Sequence, residues 1–276
     1  MSHTNEIEKQ ISAGTSYLDC FRGVDLRRTE IASVTWIIQS LCGSTFMGFS
    51  TYFYQQAGLP TEQSFNLSMA QYGLGMVGTI GSWFLMSRAG RRTLYLYGSV
   101  VLFALLLIIG FTSFAPASNL ASRWAIGTML LVFTFVYDLT VGPVCYSLVA
   151  EMSSTRLRAK TIVIARNLYN VGGIVVNILT TYQLTPSPSG WGWSAKSAFF
   201  WAGSCLLCIV WIFFRLPEPK GRTYGEMDVL FEQGISARKF KSTKLDIFRG
   251  DHTTPGKDVD SDIEIEKLTQ DFVEKV

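Results

Sequence analysis

The chain has 276 residues, of which 48% are hydrophobic and only 16% are charged, and its formal net charge is +3. Because an ordinary soluble domain carries about 25% charged residues, this composition argues against a soluble protein. Arg and Lys lie in short clusters at the ends of long apolar segments and form no continuous basic face. Nucleic acid is therefore excluded as an expected partner.

Residues 1–30 are polar and charged. They lack the apolar core that a cleavable secretory signal needs, and we expect them to form a cytoplasmic linker. Six mostly apolar segments follow, each close to the roughly 20 residues that a helix needs to cross a bilayer. Their ranges are 31–54, 66–86, 93–115, 124–150, 161–182 and 197–214. They predict an all-α membrane protein with six transmembrane helices in one bundle over residues 31–216, in which Asp138 and Arg166 are the charged residues of the spans.

The connecting segments differ in charge on the two sides of the membrane. One side carries Arg22, Arg27, Arg28, Arg88, Arg91, Arg92, Arg156, Arg158, Lys160, Arg215, Lys220 and Arg222. The opposite loops carry Arg123 and Lys196. The positive-inside rule therefore predicts a multi-pass protein with both termini in the cytoplasm. Residues 217–276 are polar and are expected to form a cytoplasmic tail, largely disordered after residue 240.

Four motifs occur in order along the chain, and each lies at an end of a predicted span or within it. They are QSLCG at Gln39–Gly43, SRAGRR at Ser87–Arg92, GPVCY at Gly142–Tyr146 with Glu151 and RLRAK at Arg156–Lys160, and PEPKGRT at Pro217–Thr223. Together they resemble the signatures of the sugar porter family of the major facilitator superfamily. The segments TYFYQQAGLPTEQSFN and RLRAKTIVIARNLYN are similar to those of fungal alpha-glucoside, or maltose-type, permeases.

The chain departs from the family's motifs at a few positions. Ser87 stands where the family has an acidic residue, so the charge contacts of that loop differ from the family's. Cys145 and Tyr146 replace a proline and a tryptophan, Pro219 replaces a threonine, and Ser40 replaces a glutamine.

The resemblance implies the carboxy-terminal half of a proton-coupled alpha-glucoside symporter that works by alternating access in the plasma membrane. The family has twelve spans and binds sugar between two six-span halves, so a missing amino-terminal half or a second chain is an expected partner, together with sugar, protons and the lipid bilayer. A transporter-like sugar sensor and a non-transporting fragment are the alternatives. No cofactor is expected. An enzyme is not expected either, because the sequence contains no recognisable nucleophile–base pair, metal-ligand cluster or phosphate loop.

A sugar site needs amides and hydroxyls for hydrogen bonds and aromatic rings for the ring faces, without fixed charge. On this chemistry and the resemblance, Gln39, Thr45, Tyr146 and Asn170 are the predicted substrate-binding residues. For each of the three polar residues a helix-to-helix hydrogen bond is the alternative. Tyr146 could line a cavity without stacking on a sugar.

Charged residues suggest two further roles. An ionisable residue inside a membrane is costly and is a functional hypothesis by default, so Asp138 is a predicted proton or sugar site, with a partnered structural carboxyl as the alternative. The resemblance also implies a gating network of charges at the cytoplasmic surface, for which simple anchoring by positive charge is the alternative. Its predicted members are Arg88, Gly90, Arg91, Arg92, Glu151 and Arg158.

Overall fold

A computed structural model describes residues 15–56, 58–115, 120–240 and 242–243. The chain divides into a compact unit Met1–Lys241 and a second unit Ser242–Val276, and most of the second unit, including the predicted disordered tail, lies outside the described residues. The described part of the first unit is helical and contains no strand. Its α-helices are α1 (Gly23–Gln39), α2 (Thr45–Gly48), α3 (Ser50–Gln56), α4 (Thr61–Arg88), α5 (Arg91–Thr112), α6 (Leu120–Leu139), α7 (Val141–Met152), α8 (Arg158–Leu184), α9 (Ser197–Arg215) and α10 (Tyr224–Glu232).

Four stretches of the described chain are long and apolar enough to cross a membrane. They are Arg91–Thr112, Leu120–Met152, Arg158–Leu184 and Ser194–Arg215, and they coincide with the third to sixth predicted spans. The second predicted span lies within α4, a continuous helix of 28 residues. The prediction of an all-helical membrane protein is confirmed, while the bilayer boundaries of the six spans stay a prediction.

The first predicted span is divided. Helix α1 ends at Gln39, a turn of π-helix covers Ser40–Ser44, and the short helices α2 and α3 follow. Gly43 has φ 89°, a left-handed conformation that side chains disfavour, and a Cβ there would lie 3.2 Å from Leu106. The Gln39 carbonyl at the break accepts hydrogen bonds from the Ser44 hydroxyl at 2.5 Å and the Cys42 thiol at 3.2 Å. Local side chains therefore add hydrogen bonds to the carbonyl at the point where the regular α-helical pattern stops.

The fourth predicted span is also interrupted, between α6 and α7. Thr140 separates the two helices with φ −124° and ψ −71°, outside the helical region. Pro143 follows in the first turn of α7, where its ring has no N–H to donate to the carbonyl of Leu139. The proline explains why the helix breaks here.

The helices pack unequally around the bundle. Helix α5 packs mainly on α9 and α6, α4 packs mainly on α6, and α8 packs mainly on α1. In the most apolar stretch of α5, 50% of the residues are buried, but in that of α8 only 11% are. Much of the surface of α8 is therefore uncovered in this chain.

Ion pairs and hydrogen bonds between charged helix termini show that six helices meet at one end of the bundle. Helices α1, α5 and α8 begin there, and helices α4, α7 and α9 end there. We call this the charged end. Arg28 is buried there, pairs with Asp228 of α10 and donates to the Met152 carbonyl at 2.9 Å. The segment after α9 is thereby fixed to the start of α1 and the end of α7.

Candidate functional site

A groove of about 440 Å³ lies between the broken first span and α8. Ser40, Ser44, Thr45 and Gly48 form one wall, and residues of α8 form the other. The residues from α8 are Tyr169, Asn170, Gly173, Ile174, Val176 and Asn177. The volume lies within the range of about 300–1,000 Å³ that is usual for ligand pockets. The interruption after Gln39 shapes this groove, because it replaces a straight helix by a turn rich in small hydroxyl residues.

The polar groups of the groove are all neutral. The wall of the broken span offers three hydroxyls, and α8 offers the amides of Asn170 and Asn177 and the phenol of Tyr169. Hydroxyls and amides both donate and accept hydrogen bonds. Such a set suits a neutral ligand that itself carries many hydroxyls, and it offers no fixed charge to an ionic one.

Thr45 and Asn170, two of the predicted substrate-binding residues, lie together in this groove. Gln39, the third, does not line it. Its side chain is 3% exposed, and its Nε2 donates to the Gly142 carbonyl of α7 at 2.9 Å. In this conformation Gln39 makes the interhelical hydrogen bond that was its alternative role, and its contact with sugar stays a prediction.

Tyr146 lies outside the groove lining but is connected to it through a row of aromatic and cationic side chains. Its exposed ring meets Trp36 edge-on, with centroids 5.6 Å apart. The Arg166 guanidinium lies 5.4 Å from the Trp36 ring centre and 4.8 Å from that of Tyr169, which lines the groove. Stacking of Tyr146 on a sugar stays a prediction, and the row places an exposed cation beside one end of the groove.

Sequence reasoning missed Ser40, Ser44, Tyr169 and Asn177. A local break in the helix was a way to bring Gln39 and Thr45 to one cavity, but the sequence did not show its π-helical form, which places Ser40 and Ser44 in the groove wall. Asn177 could have been found, because it follows Asn170 by seven residues, and this spacing returns to the same helix face.

Asp138 lies away from the groove, on α6 where it packs against α4. Its carboxylate is partly buried, and a Cβ added at Gly75 would lie 2.5 Å from its Oδ2. Within residues 15–56, 58–115 and 120–240, no group forms a hydrogen bond or ion pair with Asp138. Its role as a proton or sugar site stays a prediction. Among the described residues no group of three or more His, Cys, Asp and Glu is placed to hold a metal ion.

Five of the six residues of the predicted gating network make contacts at the charged end through side-chain groups or backbone carbonyls. Arg91 pairs with Glu151 at 3.2 Å, and the Arg158 guanidinium lies 4.1 Å from the ring centre of Tyr224. Arg92 donates to the Phe213 carbonyl at 2.9 Å, and the Arg88 carbonyl accepts from Lys220 at 2.6 Å. These contacts join residues from α4, α5, α7, α8, α9 and the segment after α9. That these contacts break and form again as the gating network opens and closes stays a prediction.

Gly90, the sixth member, faces Glu218, which sequence reasoning did not single out. Glu218 is 8% exposed and accepts hydrogen bonds from the backbone N–H and the hydroxyl of Thr93, both at 3.3 Å. It therefore caps the start of α5 from a distant part of the chain. A Cβ at Gly90 would collide with this carboxylate, which explains why glycine occupies that place in the SRAGRR loop.

Helix α10 has its own cap at the charged end. Thr223 and Glu226 form a capping box, in which the Thr223 N–H donates to Glu226 at 2.7 Å and the Glu226 N–H donates to the Thr223 hydroxyl at 3.3 Å. The hydrogen bond from the Thr223 backbone lowers the pKa of the Glu226 carboxyl below its ordinary value. The cap holds Tyr224, which is the partner of Arg158, in place.

Comparison with known proteins gives related sequences over most of the chain. The family described as Sugar (and other) transporter matches residues 2–231. A maltose permease of Saccharomyces cerevisiae is 44% identical over 246 residues, which are 89% of this chain and 39% of that protein. An alpha-glucoside permease of the same species is 43% identical over 258 residues, covering 93% of this chain and 42% of that protein. The chain thus spans about two fifths of the length of the curated relatives it matches.

Solved structures of similar fold are transporters of the major facilitator superfamily. The proton:xylose symporter XylE bound to 6-bromo-6-deoxy-D-glucose superimposes with a TM-score of 0.64 at 18% identity, over 82% of this chain and 46% of that chain. A double tryptophan mutant of XylE gives a TM-score of 0.66 at 17% identity, over 75% and 43%. The likeness establishes a major facilitator fold, matched over less than half of each transporter.

Proposed function

Because the chain belongs to the sugar transporter family, we propose that it forms the carboxy-terminal half of a proton-coupled symporter for alpha-glucosides such as maltose. In this proposal the sugar binds in the groove between the broken first span and α8. The observation that carries the proposal is the neutral set of hydroxyls and amides in that groove. The names of the relatives supply the substrate class, since they are maltose and alpha-glucoside permeases.

A second six-helix unit completes the site in this proposal. Helix α8 is uncovered over most of its length, and its exposed residues include Arg166, Asn167 and Asn170. In contact with lipid such groups would be costly, so a protein surface facing them is the more stable arrangement. We propose an amino-terminal half, or a second chain, as that partner.

The transport cycle in this proposal is alternating access in the plasma membrane, with both termini in the cytoplasm. Rocking of one half against the other would open the groove to each side in turn. The charged end would be the cytoplasmic surface, where pairs such as Arg91 and Glu151 hold the helix termini together and release them when the inner side opens. Asp138, without a partner among the described residues, is a candidate to carry the proton or to bind sugar.

Reconstitution of the two halves tests the proposal. This chain would be co-expressed with the amino-terminal six spans of the yeast maltose permease in cells without other maltose uptake, and entry of labelled maltose would be measured. We expect uptake that depends on both chains and on a proton gradient. Asn170→Ala, which removes a groove amide, should lower uptake at low sugar concentration about tenfold, the effect expected when a bound polar group loses its partner.

Asn66→Ala is the matched control, because Asn66 is an exposed asparagine of α4 that does not line the groove. It should leave uptake unchanged. The proposal is wrong if properly inserted chains give no uptake of any alpha-glucoside, or if Asn66→Ala and Asn170→Ala reduce uptake equally.

A further inference from the structure

A short turn precedes the first span at the charged end. Residues Tyr17–Phe21 form a turn of 3₁₀-helix, and a capping box between Ser16 and Asp19 closes it. The Ser16 N–H donates to the Asp19 carboxylate at 2.6 Å, and the Leu18 N–H donates to the Ser16 hydroxyl at 3.3 Å. We call Tyr17–Phe21 the entry turn. Hydrogen bonds within the segment itself therefore fix its shape.

The entry turn is fixed to the two helices beside it by a buried cysteine. The Cys20 Sγ lies 3.8 Å from the Thr161 hydroxyl of α8, and its carbonyl accepts from the Thr29 hydroxyl of α1 at 2.9 Å. Lys160, in the first turn of α8, donates to the Thr15 carbonyl at 2.5 Å. Because α8 is long and apolar enough to cross a membrane and these contacts are made at its start, the entry turn lies level with the membrane–water boundary.

The outer face of the entry turn is apolar. Leu18 is 65% exposed, and Phe21 and Tyr17 are each 52% exposed. Leu18 and Phe21 are three residues apart, so they lie one above the other in 3₁₀ geometry. Tyr17 lies beside them, with its ring centre 5.9 Å from the Lys160 ammonium. Exposure of large apolar side chains to water is unfavourable, and tyrosine is enriched where a membrane meets water. This face therefore fits a lipid surface better than it fits bulk water.

Cations stand beside this apolar face. Arg22 directly follows the turn and is exposed, and its guanidinium makes no hydrogen bond or ion pair with any residue that the structure describes. The carboxylates on either side of it in the sequence are already engaged, because Asp19 caps the turn and Asp25 lies 3.7 Å from Arg156. The segment thus offers a positive charge next to exposed apolar groups. Anionic phospholipids present the complement, which is negative head groups above apolar chains.

We propose that the entry turn binds the anionic surface of the bilayer. Leu18 and Phe21 insert among the acyl chains just below the head groups, and Arg22 binds the phosphate of an anionic phospholipid. Through the contacts of Cys20 and Lys160 this anchor is joined to the starts of α1 and α8, and it sets the depth at which both helices enter the membrane. Membrane binding by this turn does not depend on the substrate, so its failure would leave the proposed sugar transport standing.

Spin labelling of the intact 276-residue chain in lipid nanodiscs tests the depth of the turn. All five cysteines are buried, so a thiol-reactive nitroxide attached to Leu18→Cys or to Phe21→Cys reports on the introduced site, and labelled wild type gives the background. Oxygen concentrates in the bilayer and a neutral nickel chelate stays in water, so the two collision rates distinguish the surroundings. Leu207→Cys, at a 73% exposed site of α9, is the lipid reference. Glu232→Cys, at the exposed end of α10, is the water reference.

We expect both labels on the entry turn to match the lipid reference, with frequent oxygen collisions and rare collisions with the nickel chelate. The opposite pattern, matching Glu232→Cys, would place the turn in water and overturn the proposal. Rare collisions with both reagents would place the turn against protein and would overturn it as well. Melting temperatures confirm that each labelled chain is folded.

Fluorescence quenching tests the preference for anionic lipid. A fluorophore on Leu18→Cys would be quenched by spin-labelled phosphatidylserine or by spin-labelled phosphatidylcholine at the same mole fraction. We expect phosphatidylserine to associate about fivefold more strongly at low ionic strength, the size expected for one basic side chain at an anionic surface. The excess should disappear when Arg22→Gln is added or the salt is raised, and should remain with Lys239→Gln, which removes an exposed cation from the segment after α10. Equal quenching by the two lipids, or an unchanged excess with Arg22→Gln, would overturn the binding of anionic lipid by Arg22.

Discussion

Helices α5 and α8 are both long and apolar enough to cross a membrane, but they are buried to very different extents. Half of the residues in the most apolar stretch of α5 are buried, against 11% in that of α8. Helix α5 has no charged side chain after Arg92, and it lies between α9 and α6. Helix α8 carries Arg166 and three asparagines, and it packs mainly on α1.

The difference shows that hydropathy identifies a span without saying what surrounds it. In α5 small residues permit close helix contact, as at Gly98 and Gly110, where an added Cβ would collide with Thr140 and Phe199. In α8 the small residue Gly173 faces open space. Helix α5 therefore packs closely within the bundle, and α8 carries polar side chains on a surface that the described chain leaves uncovered.

The largest expected difference in stability is between two variants that carry the same change, glycine to leucine, one in α5 and one in α8. Gly98→Leu should lower the free energy of unfolding by about 3 kcal/mol, because the new side chain overpacks the close contact with the Thr140 side chain. Gly173→Leu should leave stability nearly unchanged, since its side chain meets no protein atom. Thermal melting of the two purified variants measures both. Equal destabilisation would mean that α8 is as tightly packed as α5.

A second pair of substitutions distinguishes polar residues that stabilise the bundle from polar residues that face the groove. Gln39→Ala should cost about 2 kcal/mol of stability, because it leaves the buried Gly142 carbonyl without its donor. Asn170→Ala should cost much less, because Asn170 is exposed and makes no internal hydrogen bond in the described residues. Chemical or thermal unfolding of both variants gives the comparison. A Gln39→Ala chain as stable as wild type would contradict the structural role of this hydrogen bond and would favour sugar binding as the role of Gln39.

A smaller effect is expected where α8 is fixed to the bundle near its carboxy-terminal end. Trp201 of α9 donates its indole N–H to the fully buried Gln183 at 3.0 Å. Trp201→Phe removes this donor and should cost about 1 to 2 kcal/mol. Hydrogen–deuterium exchange should rise in the last turns of α8 more than in α5. Uniform acceleration along both helices would show that this contact stabilises the whole bundle instead.

The smallest effect concerns the cap of α10, which supports the start of α8 through Tyr224 and Arg158. The folded-state pKa of Glu226 is lowered, so its contribution is present above the unfolded-state pKa of about 4.3 and is lost as the pH falls through the folded value. Glu226→Gln should therefore lower the melting temperature slightly at pH 7. The difference from wild type should vanish in acid, and its persistence there would contradict the assigned cap.

The sequence contains enough to predict the helical membrane fold and two of the groove residues. Long apolar segments force helices, because backbone groups in lipid must be satisfied internally, and the family resemblance selected Thr45 and Asn170, which both line the groove. The form of the interruption at Ser40–Ser44 was not predictable from local patterns, because an apolar segment does not show that its glycine will adopt a φ of 89° within a π-helical turn. A lone amide in a span can bind a ligand or bond to another helix, and only the position of α7 shows that Gln39 donates to the Gly142 carbonyl in this structure.

The interruption in the first span also bears on how the protein is made. During synthesis the span that contains Gly43 leaves the ribosome before the last described span, which contains Trp201, and the Cβ of Trp201 lies 3.4 Å from the position that a Cβ would take at Gly43. Until that last helix enters the bilayer, the opened turn lacks one of the surfaces that shield its backbone from lipid. Within this chain, the opened turn therefore gains its full set of neighbours only after the span that contains Trp201 has been inserted.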